Sequence, residues 1–182
     1  SHNADALAAR AEALGLAGVT VHGRTRQQFY KGAADWTAIR TVVERVAIPV
    51  VANGDVDGVS SARTCLLRSA AAAVMVGRAA LGQPWLLGGI AAALSGAAYL
   101  APAAEARSAA AVEHYEALLS LYGKAVGIRH ARKHLAAYAD VAAAAGYGLA
   151  KADREALVVA EEPAHVIRLL ESLYRDEGRI AA

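Results

Sequence analysis

The sequence is poor in the residues that staple small secreted domains or build metal sites. One cysteine, Cys65, among 182 residues leaves no internal disulfide framework. No cysteine and histidine set has structural-zinc spacing. His130 and His134 stand four apart, as two ligands on a helix would, but no third ligand accompanies them and no metal is expected. With a lone thiol and no signal-peptide pattern, the expected setting is the reducing cytoplasm. Long apolar runs are missing as well. The uncharged stretch 79–104 is broken by Gly82, Pro84, Gly88, Gly89, Gly96 and Pro102 and is rich in alanine, so no membrane span is expected. Charge of one sign is scarce too: 19 Lys and Arg against 17 Asp and Glu give a net +2, so any basic surface must be local.

What is present is ample apolar material, 56% of residues with a mean hydropathy of +0.28, enough for a packed core. Asn3 is placed to cap a helix starting at Ala4, with Asp5 favourable in its first turn, Leu7, Ala11 and Leu14 on one face, and Gly15 as the stop. A short strand over 17–21 ends at His22-Gly23, and a polar loop over 24–35 leads to a helix from about Trp36 to Val46. The pattern repeats. An apolar, β-branched strand over 48–52 ends in Asn53-Gly54-Asp55, a helix follows over 59–69, and a third strand over 73–76 ends at Gly77-Arg78. Strand, glycine-containing loop and helix in alternation predict βα units of a parallel α/β sheet. From Glu105 the character becomes helical and alanine-rich: Glu105 to Tyr122, Ile128 to Ala145 and Ala164 to Asp176. The run Leu157-Val158-Val159 is too short to count as a strand in that context. We divide the chain into an α/β part, 1–100, whose linker is the Gly/Ala/Pro segment 88–102, and an all-α helical bundle, 101–182.

In parallel α/β folds the strand C-termini face the ligand, so His22-Gly23-Arg24, Asn53-Gly54-Asp55 and Gly77-Arg78 should share one rim. Glycines there let backbone N–H groups approach an anion, and Arg78 offers a charge-assisted fork to phosphate. Singly, each of these short motifs is an ordinary turn; three at successive strand ends point to a ligand. A second cluster is basic. No acidic residue occurs between Glu116 and Asp140, whereas Lys124, Arg129, Arg132 and Lys133 all do. On a helix Arg129, Arg132 and Lys133 share a face, with Ile128 and Leu135 on another.

The run Thr20-Val21-His22-Gly23-Arg24-Thr25-Arg26-Gln27-Gln28-Phe29-Tyr30-Lys31-Gly32, with Ala34-Asp35-Trp36, Pro49 to Val56 and Val74 to Trp85, resembles the bacterial tRNA-dihydrouridine synthase family, closest to its B branch. Gly127-Ile128-Arg129 and Ala131 to Leu135 resemble the signature of that family's helical domain. The resemblance implies a TIM (β/α)8 barrel that holds FMN, with NADPH as reductant, and a helical domain that holds tRNA whose uridine is reduced to dihydrouridine. Matched by position, it implies that Asn53, Gly54, Asp55, Gly77 and Arg78 bind the FMN phosphate and ribityl region, with His22 near the flavin ring. Lys124, Arg129, Arg132 and Lys133 are the implied RNA contacts. Arg24 lies on the same rim, facing either flavin or RNA, and is counted with the RNA contacts.

About three βα units at the C-terminal end of the barrel are accounted for, because 182 residues fall short of the roughly 250 that eight units need. The chain is therefore expected to be a fragment without the family's catalytic cysteine loop, inactive alone. Cys65 falls in the second βα helix and is expected to be a buried apolar residue rather than the acid. Open strand edges would favour self-association. Two other readings stand beside this one: an RNA-binding helical module with a vestigial half-barrel, or another FMN- and phosphate-binding barrel oxidoreductase.

Overall fold

The computed structural model describes residues 3–29 and 31–175, which divide into two compact units. Of the described residues, the first takes those up to 80 and 86–99, and the second takes 81–85 and 100–175.

The first unit is built on a parallel sheet, β1 (Val19–His22), β2 (Val50–Asn53) and β3 (Ala73–Met75), in the spatial order 1-2-3. Each strand is shorter than its apolar run suggested, because pairing stops where the register ends. That register aligns Val19 with Val50, His22 with Asn53, and Asn53 with Met75, so the strands finish side by side. Helix α1 (Ala4–Ala13) precedes β1, α2 (Trp36–Val43) follows it, and α3 (Val59–Ser69) follows β2. Asp35 caps α2 by accepting from the Ala38 N–H at 3.0 Å, and the αL residue Ala70 ends α3. The core is Ile39 and Val42 of α2, Val50 and Ala52 of β2, and Ala62 and Cys65 of α3, all buried.

Three expectations need correction here. The apolar face Leu7, Ala11 and Leu14 of α1 is not the packed one: Leu7 and Leu14 are exposed and Ala8 alone is buried. α2 ends at Val43 rather than Val46, since the chain must turn to reach β2. The segment read as a linker contains a helix, α4 (Leu86–Ser95), which buries Ile90 in the first core. Gly88 and Gly89 do not break it. Tyr99 folds back over them, and a Cβ on Gly89 would lie 3.0 Å from the tyrosine ring, so Gly89 serves a close contact rather than a turn.

The second unit contains α5 (Ala104–Tyr122), α6 (Lys124–Ala144), α7 (Lys151–Val159) and α8 (Pro163–Ser172). Gly123, at φ +75°, reverses the chain between α5 and α6 in a single residue. α6 starts at Lys124, a turn before the expected Ile128, because Gly127 is a crossing point and not a break: a Cβ there would stand 2.7 Å from the Leu118 carbonyl oxygen. α7 went unread in the sequence, where only its Leu157-Val158-Val159 end drew notice. α8 ends at Ser172, and Asp176, the expected end, lies outside the described residues. Tyr115, Leu135, Tyr138, Leu157, Leu170 and Leu173 fill this core.

Residues 81–85 belong to this unit although the sequence reading put them with the sheet. Gly82, at φ +73°, sits against α6, where a Cβ would fall 2.3 Å from the Ala137 carbonyl oxygen. Trp85 meets Tyr174 edge to face at 6.4 Å, with the Arg107 guanidinium 5.5 Å from the indole.

Candidate phosphate cleft and basic helix face

Because the three strands end in register, the residues after them meet. His22, Asn53, Gly54, Asp55, Gly77 and Arg78 line one cleft of about 570 Å³ at the C-terminal edge of the sheet. Asn53 Nδ2 donates to the Met75 carbonyl at 3.1 Å and ties β2 to β3. Gly54 is at φ +118° and Asp55 at φ +54°. A Cβ on Gly54 would lie 2.8 Å from that of Ala34 and 3.3 Å from His22 Cε1, so glycine is what lets the imidazole lie against this backbone. Trp36 of α2 donates its indole N–H to the Gly54 carbonyl at 2.8 Å. The Arg24 N–H donates to His22 Nδ1 at 3.1 Å, which leaves Nε2 as the protonated nitrogen of the neutral ring.

Arg24 does not face outward, and its count among RNA contacts is corrected here. Its side chain is 4% exposed, and Nη2 donates to the Gly32 carbonyl at 2.6 Å and to Asp55 Oδ2 at 2.5 Å. The same Asp55 oxygen accepts from the Ala34 N–H at 2.8 Å. Asp55 therefore fastens the 24–35 loop across the sheet end, a role the sequence pattern did not signal. Burial raises the Asp55 pKa, but the Ala34 bond, the Arg24 bond and the charges of Arg24 and Arg78 together outweigh it and hold the carboxyl below its usual value.

Several features of the cleft suit an anion such as a phosphate group. Among the described residues the N–H groups of Gly54, Asp55 and Gly77 donate to no protein acceptor. A Cβ on Gly77 would meet nothing within 4 Å, which marks open space beside that backbone. The Arg78 side chain is 62% exposed, with Nη2 3.6 Å from Asp55 Oδ1. Exposed donors, a cation and a roomy glycine are the donor set an anion requires.

Cys65 is fully buried on α3, and burial pushes its thiol up despite the Ser69 hydroxyl beside it. On α6, Arg129, Arg132 and Lys133 are all exposed, whereas Ile128 and Leu135 face the core. Lys124 is exposed but bonded to Glu162 at 3.1 Å. A groove of about 590 Å³ is lined by Lys124, Arg129 and Arg132 together with Glu161 and Glu162. His130 and His134 do not converge. His130 stacks on Tyr122, while His134 meets His114 at a ring separation of 4.7 Å. Among the described residues no group of three or more metal-ligating side chains occurs, and no helix is long and apolar enough to cross a membrane.

Comparison with known proteins identifies the family. The profile of the dihydrouridine synthase (Dus) family matches residues 1–168. A probable tRNA-dihydrouridine synthase of Rhodobacter capsulatus is 49% identical over 175 residues, 96% of this chain and 52% of the relative. One of Rhizobium leguminosarum is 48% identical over 91% of this chain and 50% of the relative. tRNA-dihydrouridine synthase B of Shewanella oneidensis is 46% identical over 71% of this chain and 41% of its own length. The chain thus spans about half the length of these curated relatives. A TIM-barrel-type fold goes with the family, and the three parallel strands with their helices are consistent with part of such a barrel. A match over nearly the whole length, with relatives close to half identical, means that the chain belongs to the dihydrouridine synthase family.

Proposed function

We propose that this chain carries the phosphate and ribityl portion of an FMN site in a tRNA-dihydrouridine synthase, joined to a helical unit that holds tRNA. The carrying observation is the meeting of His22, Asn53-Gly54-Asp55 and Gly77-Arg78 in one cleft with unpaired N–H groups, in a chain of this family. The amides of Gly54 and Gly77 would hold the phosphate, with Arg78 closing on it as a fork. Asn53 and Asp55 would hold the ribityl portion, and His22 would offer its Nε2 proton toward the flavin ring. Bound FMN would supply the hydride, drawn from NADPH, that reduces a uracil ring.

The base must leave its stack to be reduced, so a separate grip on the RNA complements the cleft. Arg129, Arg132 and Lys133, with Lys124 at the edge, supply that grip through phosphate contacts, which hold position without reading sequence. Binding should weaken as salt rises, with a log–log slope of about −0.7 to −0.9 per phosphate contact. Cys65 is no candidate for the acid of the reaction, since its burial withholds it from any substrate. The 182-residue chain by itself is accordingly expected to bind tRNA but not to turn over.

Filter binding of unmodified tRNA across a salt series tests the grip. The expected result is retention at low salt that is lost when Arg129, Arg132 and Lys133 are all replaced by alanine. No retention at low salt, or dihydrouridine formed by this chain with FMN, NADPH and tRNA, would overturn the corresponding half of the reading.

A further inference from the structure

We propose that the stacked pair Tyr122 and His130 is a landing surface for an unpaired RNA base, with Arg129 and Lys133 holding the adjoining phosphates. The proposal rests on the tRNA reading above and adds a base-recognition site to it. The two rings lie nearly parallel, with centroids 4.7 Å apart and planes at 24°. Tyr122 is the last residue of α5 and His130 stands in the second turn of α6, so the stack spans the tight reversal at Gly123. Gly127 lets the two helices close just behind it. The platform is thus held by the hairpin itself.

It is not part of a core. Tyr122 is 46% exposed, His130 is exposed, and among the described residues the Tyr122 hydroxyl has no hydrogen-bond partner. The tyrosines that do fill this unit, Tyr115, Tyr138 and Tyr174, are all buried. Arg129 and Lys133, one residue before and three after His130, are exposed and make no ion pair among the described residues. No acidic residue lies in the sequence between Glu116 and Asp140, and Glu161 and Glu162, in the groove beside Arg129, pair with neither Arg129 nor Lys133 among the described residues. Cations alone would suit an acidic peptide equally well. Parallel, exposed rings between cations match single-stranded RNA, whose bases stack on aromatic planes while its phosphates are paired.

The test uses the whole 182-residue chain, a short single-stranded RNA carrying a fluorescent purine analogue, and a sugar-phosphate strand of equal length without bases. Wild-type protein should quench the analogue and prefer the RNA over the baseless strand. Tyr122→Ala and His130→Ala should weaken RNA binding by between about fivefold and about a hundredfold with the salt slope unchanged. Tyr122→Phe, which keeps the ring, should bind as wild type. Lys133→Ala should instead flatten the slope by about one. Binding with a normal salt slope but no quenching, no preference for bases and no effect of the ring variants would overturn the platform and leave the tRNA grip standing. No binding to either strand at low salt would overturn both.

Discussion

The ion pair between Arg24 and Asp55 is more asymmetric than its 2.5 Å length suggests. Arg24 is the costly partner: its Nε and Nη1 are buried without a hydrogen-bond partner, and each such donor costs about 1–3 kcal/mol. Replacing Arg24 with methionine removes those two penalties along with the charge, and Asp55 still accepts from Ala34. We expect Arg24→Met to cost no more than about 1 kcal/mol, since the Asp55 carboxylate left behind is 30% exposed and still faces Arg78 at 3.6 Å, so it is not stranded in a dry interior. Asp55→Asn instead leaves a desolvated guanidinium facing an amide. Truncating one side of a buried pair costs about 3–5 kcal/mol, and with the Asp55 side chain 30% exposed we expect about 2–3 kcal/mol. The double variant should resemble Arg24→Met, for a coupling of about 2 kcal/mol. Urea unfolding followed by Trp36, whose indole is bonded to Gly54, reads this unit directly once Trp85 is replaced by phenylalanine. Asp55→Asn should move the midpoint by about 1 M. Because its folded pKa is depressed, the stability Asp55 gives wild type is present above the ordinary carboxylate range and lost as pH falls through the folded value. The asparagine variant should lack that loss. Equal costs for Arg24→Met and Asp55→Asn, or a coupling below about 0.5 kcal/mol, would refute the reasoning.

Three other outcomes follow from the second unit. Gly82→Ala should destabilise it by at least about 2 kcal/mol, since the new Cβ would stand 2.3 Å from the Ala137 oxygen at a φ of +73°; calorimetry reads the loss. Tyr174→Phe should be neutral or stabilising at pH 7, because the buried hydroxyl lacks a partner. Burial pushes the Tyr174 pKa up to about 12, with Arg107 lowering it and Tyr138 raising it, so wild-type stability should fall between about pH 10 and 12 and the variant should lose less there. Burial also lowers the pKa values of His114 and His134, which meet between α5 and α6 beside Tyr138, and for His134 the nearby His114 and Lys133 lower it further. The unfolded chain therefore binds more protons in acid, and stability of this unit should decline as pH falls below 6.5, less steeply in His114→Gln.

The parallel βα repeat was legible because its signals are local: β-branched runs ending in glycine and polar residues. The cleft followed, since parallel strands of similar length must end together. Arg24 was misjudged because sequence shows a cation on the rim but not that Asp55, 31 residues later, turns it inward. Glycine misled twice in helices. Gly89 looks like a break, as does Gly127, yet both are contacts where a neighbour comes too close for a side chain. The Tyr122 and His130 pair was invisible for a related reason, since it forms only once α5 and α6 fold against each other across Gly123.

Recognition of the FMN phosphate by the strand-end cleft is the proposal on which the others rest. Amide chemical-shift perturbation detects even weak binding, and riboflavin differs from FMN only by that phosphate. Titrated into this chain, FMN should shift the resonances of Gly54, Asp55 and Gly77, riboflavin should shift them far less, and Arg78→Ala should abolish the difference. Identical responses to the two flavins, or FMN-specific shifts confined to residues outside the cleft, would contradict it.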